Sequence, residues 1–338
     1  MTDLPASPAV ITLGECLASF VACQRGSLAE VSDLRLTVAG AEANVAVGVE
    51  RLGHHAAYIG RVGPDGLGTM IVRRLRGEGV DVRRLIVDAT AATGVMIREL
   101  RDLGPAEVVY WRAGSAGSRL ASSDVDAAEA LFAGARWLHL TGITPALSSS
   151  AADAVEAALA HARSAGLTVS LDLNLRRRLW SERAAQPVLA SLAARCDVVL
   201  GGLDEMAVVA GLAGTLEDGR ATDPEVVADA VLEVGSGRVV IKLGSEGALE
   251  RRREDGAART TRSGATAVAQ VADPVGAGDA FCAGYIAASL EGFDPESALR
   301  LANACGAVAV STVGDQTGLP TRIEVERILA AGGPDTIR

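Results

Sequence analysis

Lysine is almost missing from this chain. Of 32 basic residues, Lys242 is the single lysine and the other 31 are arginine, set against 42 acidic residues for a net charge of −10. An acidic balance of this size argues against a nucleic-acid coat or an anionic-membrane binder, both of which need clustered positive charge. Aromatic residues make up only 3%, which leaves little for stacking against bases. The five cysteines (Cys16, Cys23, Cys196, Cys282 and Cys305) are odd in number and form no C-x-x-C pair. They suggest neither a disulfide framework nor a zinc ribbon, and they point to a reducing compartment. The four histidines, His54, His55, His139 and His161, form no ligand-spaced cluster. No stretch approaches the ~20 continuous apolar residues of a membrane span. The opening MTDLPASPAV lacks the basic and apolar regions of a signal peptide. A cytoplasmic protein with neither membrane nor nucleic acid as partner is expected.

What the chain does have is apolar bulk, 49% of 338 residues, enough for a full core. Short β-branched runs alternate with longer Ala-rich segments of helical period, the pattern of an α/β fold with a mostly parallel sheet. Strands are predicted at 9–15, 56–63, 137–142, 168–174, 197–202 and 238–244, several ending in polar or Gly-rich turns. In open α/β sheets such strand ends line the ligand crevice. Helices are predicted from Glu42 to Leu52, Leu67 to Gly77, Asp279 to Leu290 and Pro295 to Val310. Segments 16–38 and 93–112 break this rhythm. They alternate apolar and polar residues with no helix following, which predicts a small antiparallel sheet carried beside the main one as a lid. No linker divides the chain, so 1–338 reads as one domain, with a frayed tail at GGPDTIR.

The strongest local signal is Asp273-Pro-Val-Gly276-Ala277-Gly278-Asp279, followed by the apolar helical run AFCAGYIAASL. Small residues let backbone N–H groups approach an anion, and a helix starting there adds its positive dipole end. An acidic residue in that turn repels a passively bound phosphate. It makes sense if Asp279 takes the proton from a hydroxyl that attacks the phosphate. The plainer reading of the same residues is a helix N-cap, for which Asp is favoured. Farther upstream, Ala39-Gly40-Ala41-Glu42-Ala43-Asn44 places a lone amide among small residues. Asn44 is either a solvated helix residue or a buried group in need of partners, which a polyol could supply.

With these residues in view, AGAEANVAVGVERLG (39–53) resembles the first signature of the ribokinase-like (PfkB) sugar kinases, and DPVGAGDAFCAGY (273–285) the second. RVGPDGLGTMIVRRLRGEGVDV (61–82) is similar to the family's G-x-D-x-x-G segment, and the likeness spans roughly residues 8–331. Within the family, Tyr110-Trp111-Arg112, Ser115-Ala116, HLTGITPALS (139–148), SLDLNLRRRLW (170–180) and DPVGAGD resemble the kinases of 2-keto-3-deoxygluconate. The resemblance implies a three-layer α/β/α domain with a mostly parallel central sheet and a small antiparallel β lid. It also implies transfer of the γ-phosphoryl of ATP to the terminal hydroxyl of that sugar acid, with Asp279 as general base.

The implied anion hole is Gly276, Ala277 and Gly278. The implied substrate contacts are Gly40, Asn44, Tyr110, Arg112, Arg176, Asp279 and Asp315. Arg112 and Arg176 suit a carboxylate, because a guanidinium can meet it with two parallel bonds; the alternative for both is a surface salt bridge. Of Tyr110 and Trp111 only one should face the site, since neighbours on a strand point to opposite faces. Nucleotide contacts fall on Lys242, Gly244 and Gly247, with Gly276 and Gly278, and on Asn303 near the adenine. ATP and Mg²⁺ are the implied cofactors. Glu205 stands at the acidic end of the family's N-x-x-E motif and would order water around the metal, although Gly202 replaces the Asn. Ala39 for the usual Gly and Met96 for a frequent Tyr bear on which sugar is bound. A homodimer or higher homo-oligomer through the lid is the implied assembly. The competing readings are a kinase of the galacto epimer or of a neutral sugar such as fructose or ribose, and a sensor that binds without turnover. A dinucleotide oxidoreductase fails at once, because the first strand ends in Gly-Glu-Cys-Leu rather than G-x-G-x-x-G.

Overall fold

The computed structural model describes residues 7–101, 107–213 and 223–331, and in it the alternating pattern becomes three layers. Nine strands form the central sheet: β1 (Val10–Leu13), β4 (Ala56–Val62), β5 (Leu85–Val87), β8 (Trp137–Thr141), β9 (Thr168–Asp172), β10 (Val198–Gly202), β11 (Arg238–Lys242), β12 (Ala248–Glu254) and β13 (Ala257–Ser263). Four more, β2 (Leu17–Arg25), β3 (Leu34–Ala39), β6 (Val95–Leu100) and β7 (Val108–Trp111), form a separate small sheet. The large sheet runs β13-β12-β11-β10-β9-β8-β1-β4-β5, parallel from β11 to β5 and antiparallel at the β12–β13 edge.

Alternation along each strand feeds two cores. Val10, Val198, Leu200 and Val240 face the helices Ala41–Arg51, Gly66–Gly77, Ala277–Leu290 and Pro295–Val310. Their neighbours Ile11, Val199, Val239 and Ile241 face the helices Ser149–Ser164, Glu182–Ala193, Leu203–Val209 and Pro224–Val234. A sheet covered on both faces must be apolar on both, which is why its strands read as nearly unbroken apolar runs. The Ala277–Leu290 helix is buried on almost every side. It lies close to Pro295–Val310 because Gly284 has no side chain: a Cβ there would stand 2.9 Å from Ala302 Cα. Among the described residues no helix is long and apolar enough to cross a membrane.

The predicted strands begin within one residue of where the sequence places them, and all but β10 stop one or two residues earlier. The first ends at Leu13 rather than residue 15, and Gly14 and Glu15 turn out of the large sheet toward the small one. The small sheet has the order β3-β2-β6-β7. Its outer pairs are antiparallel as expected, but the central pair, β2 with β6, is parallel. Helices Ala41–Arg51 and Gly66–Gly77 with β4 and β5 lie between β2 and β6 in sequence, and such a crossover lets strands run in the same direction where a tight hairpin cannot. The expected frayed tail at 332–338 and residues 102–106 of the second lid segment lie outside the described residues.

Candidate active site

The C-terminal ends of the central strands open into a cavity of about 380 Å³ whose other wall is the small sheet. Asp172, Asn174 and Lys242 come from the strand ends, and Met96, Arg98 and Tyr110 from the small sheet. Gly40, Asn44, Arg112, Arg176, Glu205, Gly276, Gly278, Asp279 and Asp315, all singled out from the sequence, line the same space.

Asp279 is not the cap of its helix. Gly276 holds that place with no side-chain hydrogen bond, in left-handed backbone (φ 82°). A Cβ on Gly276 would stand 2.8 Å from the carbonyl oxygen of Asp315, so both its conformation and its space call for glycine. The first intrahelical bond runs from Ala280 N–H to Gly276 O at 2.9 Å, so the amides of Gly278 and Asp279 have no carbonyl within the helix to meet. Ala277 is placed differently: its N–H is turned to Pro274 O at 3.4 Å. Asn44 Nδ2 donates to Asp279 Oδ2 at 2.8 Å, so the lone amide finds its first partner inside the protein. Its Oδ1 is buried with no partner among the described residues. Burial pushes the Asp279 carboxyl up to about 7, against the Asn44 bond, which pulls it down. Burial likewise raises Asp315 to about 6, opposed by the charge of Arg98.

A second cavity of about 390 Å³ adjoins the first. Gly244, Gly247, Ala277 and Asn303 line it with Val268, Val271, Phe281 and Val310, and Lys242, Pro274 and Gly278 border both spaces. It is a mostly apolar slot suited to a flat ring. Asn303 does not point free amide donors into it, because Nδ2 donates to Ser263 O (3.2 Å) and Gly264 O (3.1 Å) and so fixes the wall. Lys242 Nζ donates to Asp172 Oδ1 at 2.8 Å. Burial works against its charge, but the neighbouring Asp172 more than offsets this and holds the ammonium firmly protonated.

The arginines divide. Arg176 is exposed to the first cavity and makes no ion pair among the described residues, while its neighbour Arg177 pairs with Glu182 and Asp204 and Arg178 donates to Val108 O. Arg112 is held by buried Glu15, with Nε to Oε2 at 2.7 Å, and its guanidinium lies 5.4 Å from the centre of the Tyr110 ring. Tyr110 lines the cavity, whereas Trp111 faces outward and is 58% exposed, as strand alternation requires.

Among the described residues no three acidic, His or Cys side chains converge as a direct metal site. Glu205 and Asp172 do put two carboxylates beside Lys242 where the cavities meet. Glu205 accepts N–H bonds from Leu175 (2.7 Å) and Gly202 (2.8 Å), and burial together with the Asp172 charge raises its carboxyl. Such a pair fits a hydrated hard cation, which keeps its own waters and takes one or two carboxylates. Glu15, Glu42, Arg98 and Asp172 are site residues that reading the sequence passed over. The signal available was a charged residue inside or just past the end of a largely apolar strand for Glu15, Arg98 and Asp172, and one in the first turn of a largely apolar helix for Glu42.

The model of pfkB family carbohydrate kinases matches residues 7–322. The 2-dehydro-3-deoxygluconokinase of Bacillus subtilis (strain 168) is 38% identical over 324 residues, covering 95% of each chain. That of Thermoproteus tenax is 37% identical over 326 residues, 95% of this chain and 94% of its own. The crystal structure of a putative ribokinase II from E. coli in complex with ATP and Mg²⁺ superposes with a TM-score of 0.83 at 27% identity, covering 96% of this chain and 99% of that one.

Proposed function

This chain belongs to the pfkB family of carbohydrate kinases, and we propose that within it the chain phosphorylates the terminal hydroxyl of 2-keto-3-deoxygluconate, giving the 6-phosphate, at the expense of ATP. The observation that carries this reading is the meeting of the two cavities at Lys242, Pro274 and Gly278, with Asp279 on the acceptor side and the unpaired Arg176 facing the same space. The acceptor's carboxylate is met by Arg176 and by the edge of Arg112 that Glu15 leaves open. Tyr110 and the free Oδ1 of Asn44 take hydroxyls. Asp279 accepts the proton of the attacking hydroxyl, and Asn44 keeps the carboxylate aimed. ATP lays its base in the apolar slot, with Gly244 and Gly247 beneath the ribose and phosphates and Lys242 as a point charge on them. The amides of Gly278 and Asp279, with the helix dipole, stabilise charge on the group in flight. Glu205 and Asp172 would hold Mg²⁺ through water, and when bound it would supply neutralising charge on the phosphates.

The small sheet acts as a lid that excludes water from this transfer. Leu34 and Leu36 on its edge strand, each about 40% exposed (40% and 42%), and Trp111 offer an apolar surface for a second copy of the chain. The test is a coupled ADP-release assay across 2-keto-3-deoxygluconate, its galacto epimer, gluconate, fructose and ribose. The highest kcat/KM is expected for 2-keto-3-deoxygluconate, with Arg176→Ala raising KM for it about 10-fold or more, the scale of a lost charge-assisted pair. Turnover of a neutral sugar alone, unaffected by Arg176→Ala, would overturn the assignment.

A further inference from the structure

Arg98, on β6, has a place unlike that of the other arginines. It is 2% exposed and grips Asp273, also 2% exposed, through Nη1 to Oδ1 at 3.2 Å and Nη2 to Oδ2 at 2.5 Å. The same carboxylate accepts the N–H of Val275 at Oδ1 and the N–H of Gly314 at Oδ2, each at 3.1 Å. One buried group therefore gathers three pieces of chain: the small sheet, the turn leading to Asp279, and the turn leading to Asp315. The last two are already in contact, since Gly276 rests against the Asp315 carbonyl. On the other side, Arg98 stands two residues from Met96 on one strand, and both line the acceptor cavity. Met96 lies opposite Tyr110 in the β6–β7 register. Arg98 Nε is buried without a partner among the described residues.

A buried ion pair stabilises a fold poorly compared with apolar packing of the same volume, because both charges must leave water. What it does provide is direction, since the guanidinium fork meets a carboxylate in one plane. We infer that Arg98 is a positioning residue for phosphoryl transfer. It ties the acceptor-facing sheet to the turn that presents Asp279 and the helix amides, so that acceptor and phosphate are held in one frame. The inference rests on the kinase reading above and not on which sugar is the acceptor.

The test uses the full chain with Arg98→Lys, which keeps the charge but loses the fork, and the double variant Arg98→Met/Asp273→Asn, which removes both charges of the pair together. Because an error of about 1 Å in alignment costs on the order of 10²-fold, kcat for the acceptor should fall by about 30- to 100-fold in the double variant and less in Arg98→Lys. KM for ATP and the fraction of sites titrated by a non-hydrolysable ATP analogue should stay within about twofold of wild type, the split expected when alignment rather than binding is lost. ADP formed without acceptor should persist, so the ratio of sugar phosphate to ADP falls. Amide hydrogen exchange, which needs no acceptor, should quicken over residues 273–280 in both variants. Wild-type kcat, a kcat loss that merely tracks lost nucleotide sites, or unchanged exchange over 273–280 would each overturn the inference. If the wild type prefers another sugar, the substrate assignment fails, and the same comparison is run with that sugar.

Discussion

At the scale of single residues, the raised carboxyl of Asp279 has consequences of opposite sign for activity and stability. Its base form is needed for the proposed transfer, so kcat/KM should fall about tenfold per pH unit below about pH 7. Asn44→Ala removes the bond that lowers this carboxyl, and the acid limb should move to higher pH in a pH–rate profile. An unfolded aspartate titrates near ~3.9, so between that value and about 7 the folded state binds the extra proton and stability declines as pH rises. Asp279→Asn should therefore lose on the order of 10²- to 10⁴-fold in turnover while keeping nucleotide binding. It should also raise the melting temperature more at pH 8 than at pH 5, as calorimetry would show. The 273–279 turn was legible in the sequence because its chemistry is local: consecutive small residues, then an acid, then a helix. Its supporting charges were not. Glu15 meets Arg112 across 97 residues, Asp172 meets Lys242 across 70, and Arg98 meets Asp273 across 175. Nothing near either member of such a pair marks its partner.

At the scale of elements, hydrophobic period sufficed for six strands of the large sheet (β1, β4, β8, β9, β10 and β11) and for the four helices on one of its faces, since burial on both faces leaves a pattern that each segment carries within itself. The short β5, the half-exposed β12–β13 edge and the helices of the other face were not predicted. The small sheet was legible as a place where that pattern lapses, but the direction of β2 against β6 was not, because it depends on the route the chain takes between them. The helix bearing Asp279 is positioned from behind by close backbone contact. Gly284→Val would drive two methyls into Ala302 and Cys305, and overpacking of this kind costs about 1–3 kcal/mol. Denaturant unfolding should show that loss. Because the helix must shift to relieve the clash, kcat should fall as well, though Gly284 lies well along the helix from Asp279.

At the scale of the whole molecule, the large sheet supplies the floor on which both cavities meet, and that junction falls at the end of β11, where the chain's only lysine stands. A protease that cuts after lysine alone therefore finds one bond in 338 residues, Lys242–Leu243, and yields two pieces, 1–242 and 243–338. In the folded protein that bond continues a strand paired on both sides, and the lysine side chain is drawn onto Asp172. Cleavage then reports the opening, local or global, of the strand end proposed to face the phosphates. An ATP analogue should slow it by the factor 1 + [L]/Kd, a stabilisation of RT ln(1 + [L]/Kd) or about 2.7 kcal/mol at 100 times Kd, when cutting follows the open population. A rate indifferent to nucleotide would place the ATP elsewhere. The compositional bias toward arginine has thus left the molecule with a one-cut readout of its proposed nucleotide site, scored on a gel by two bands and needing no label.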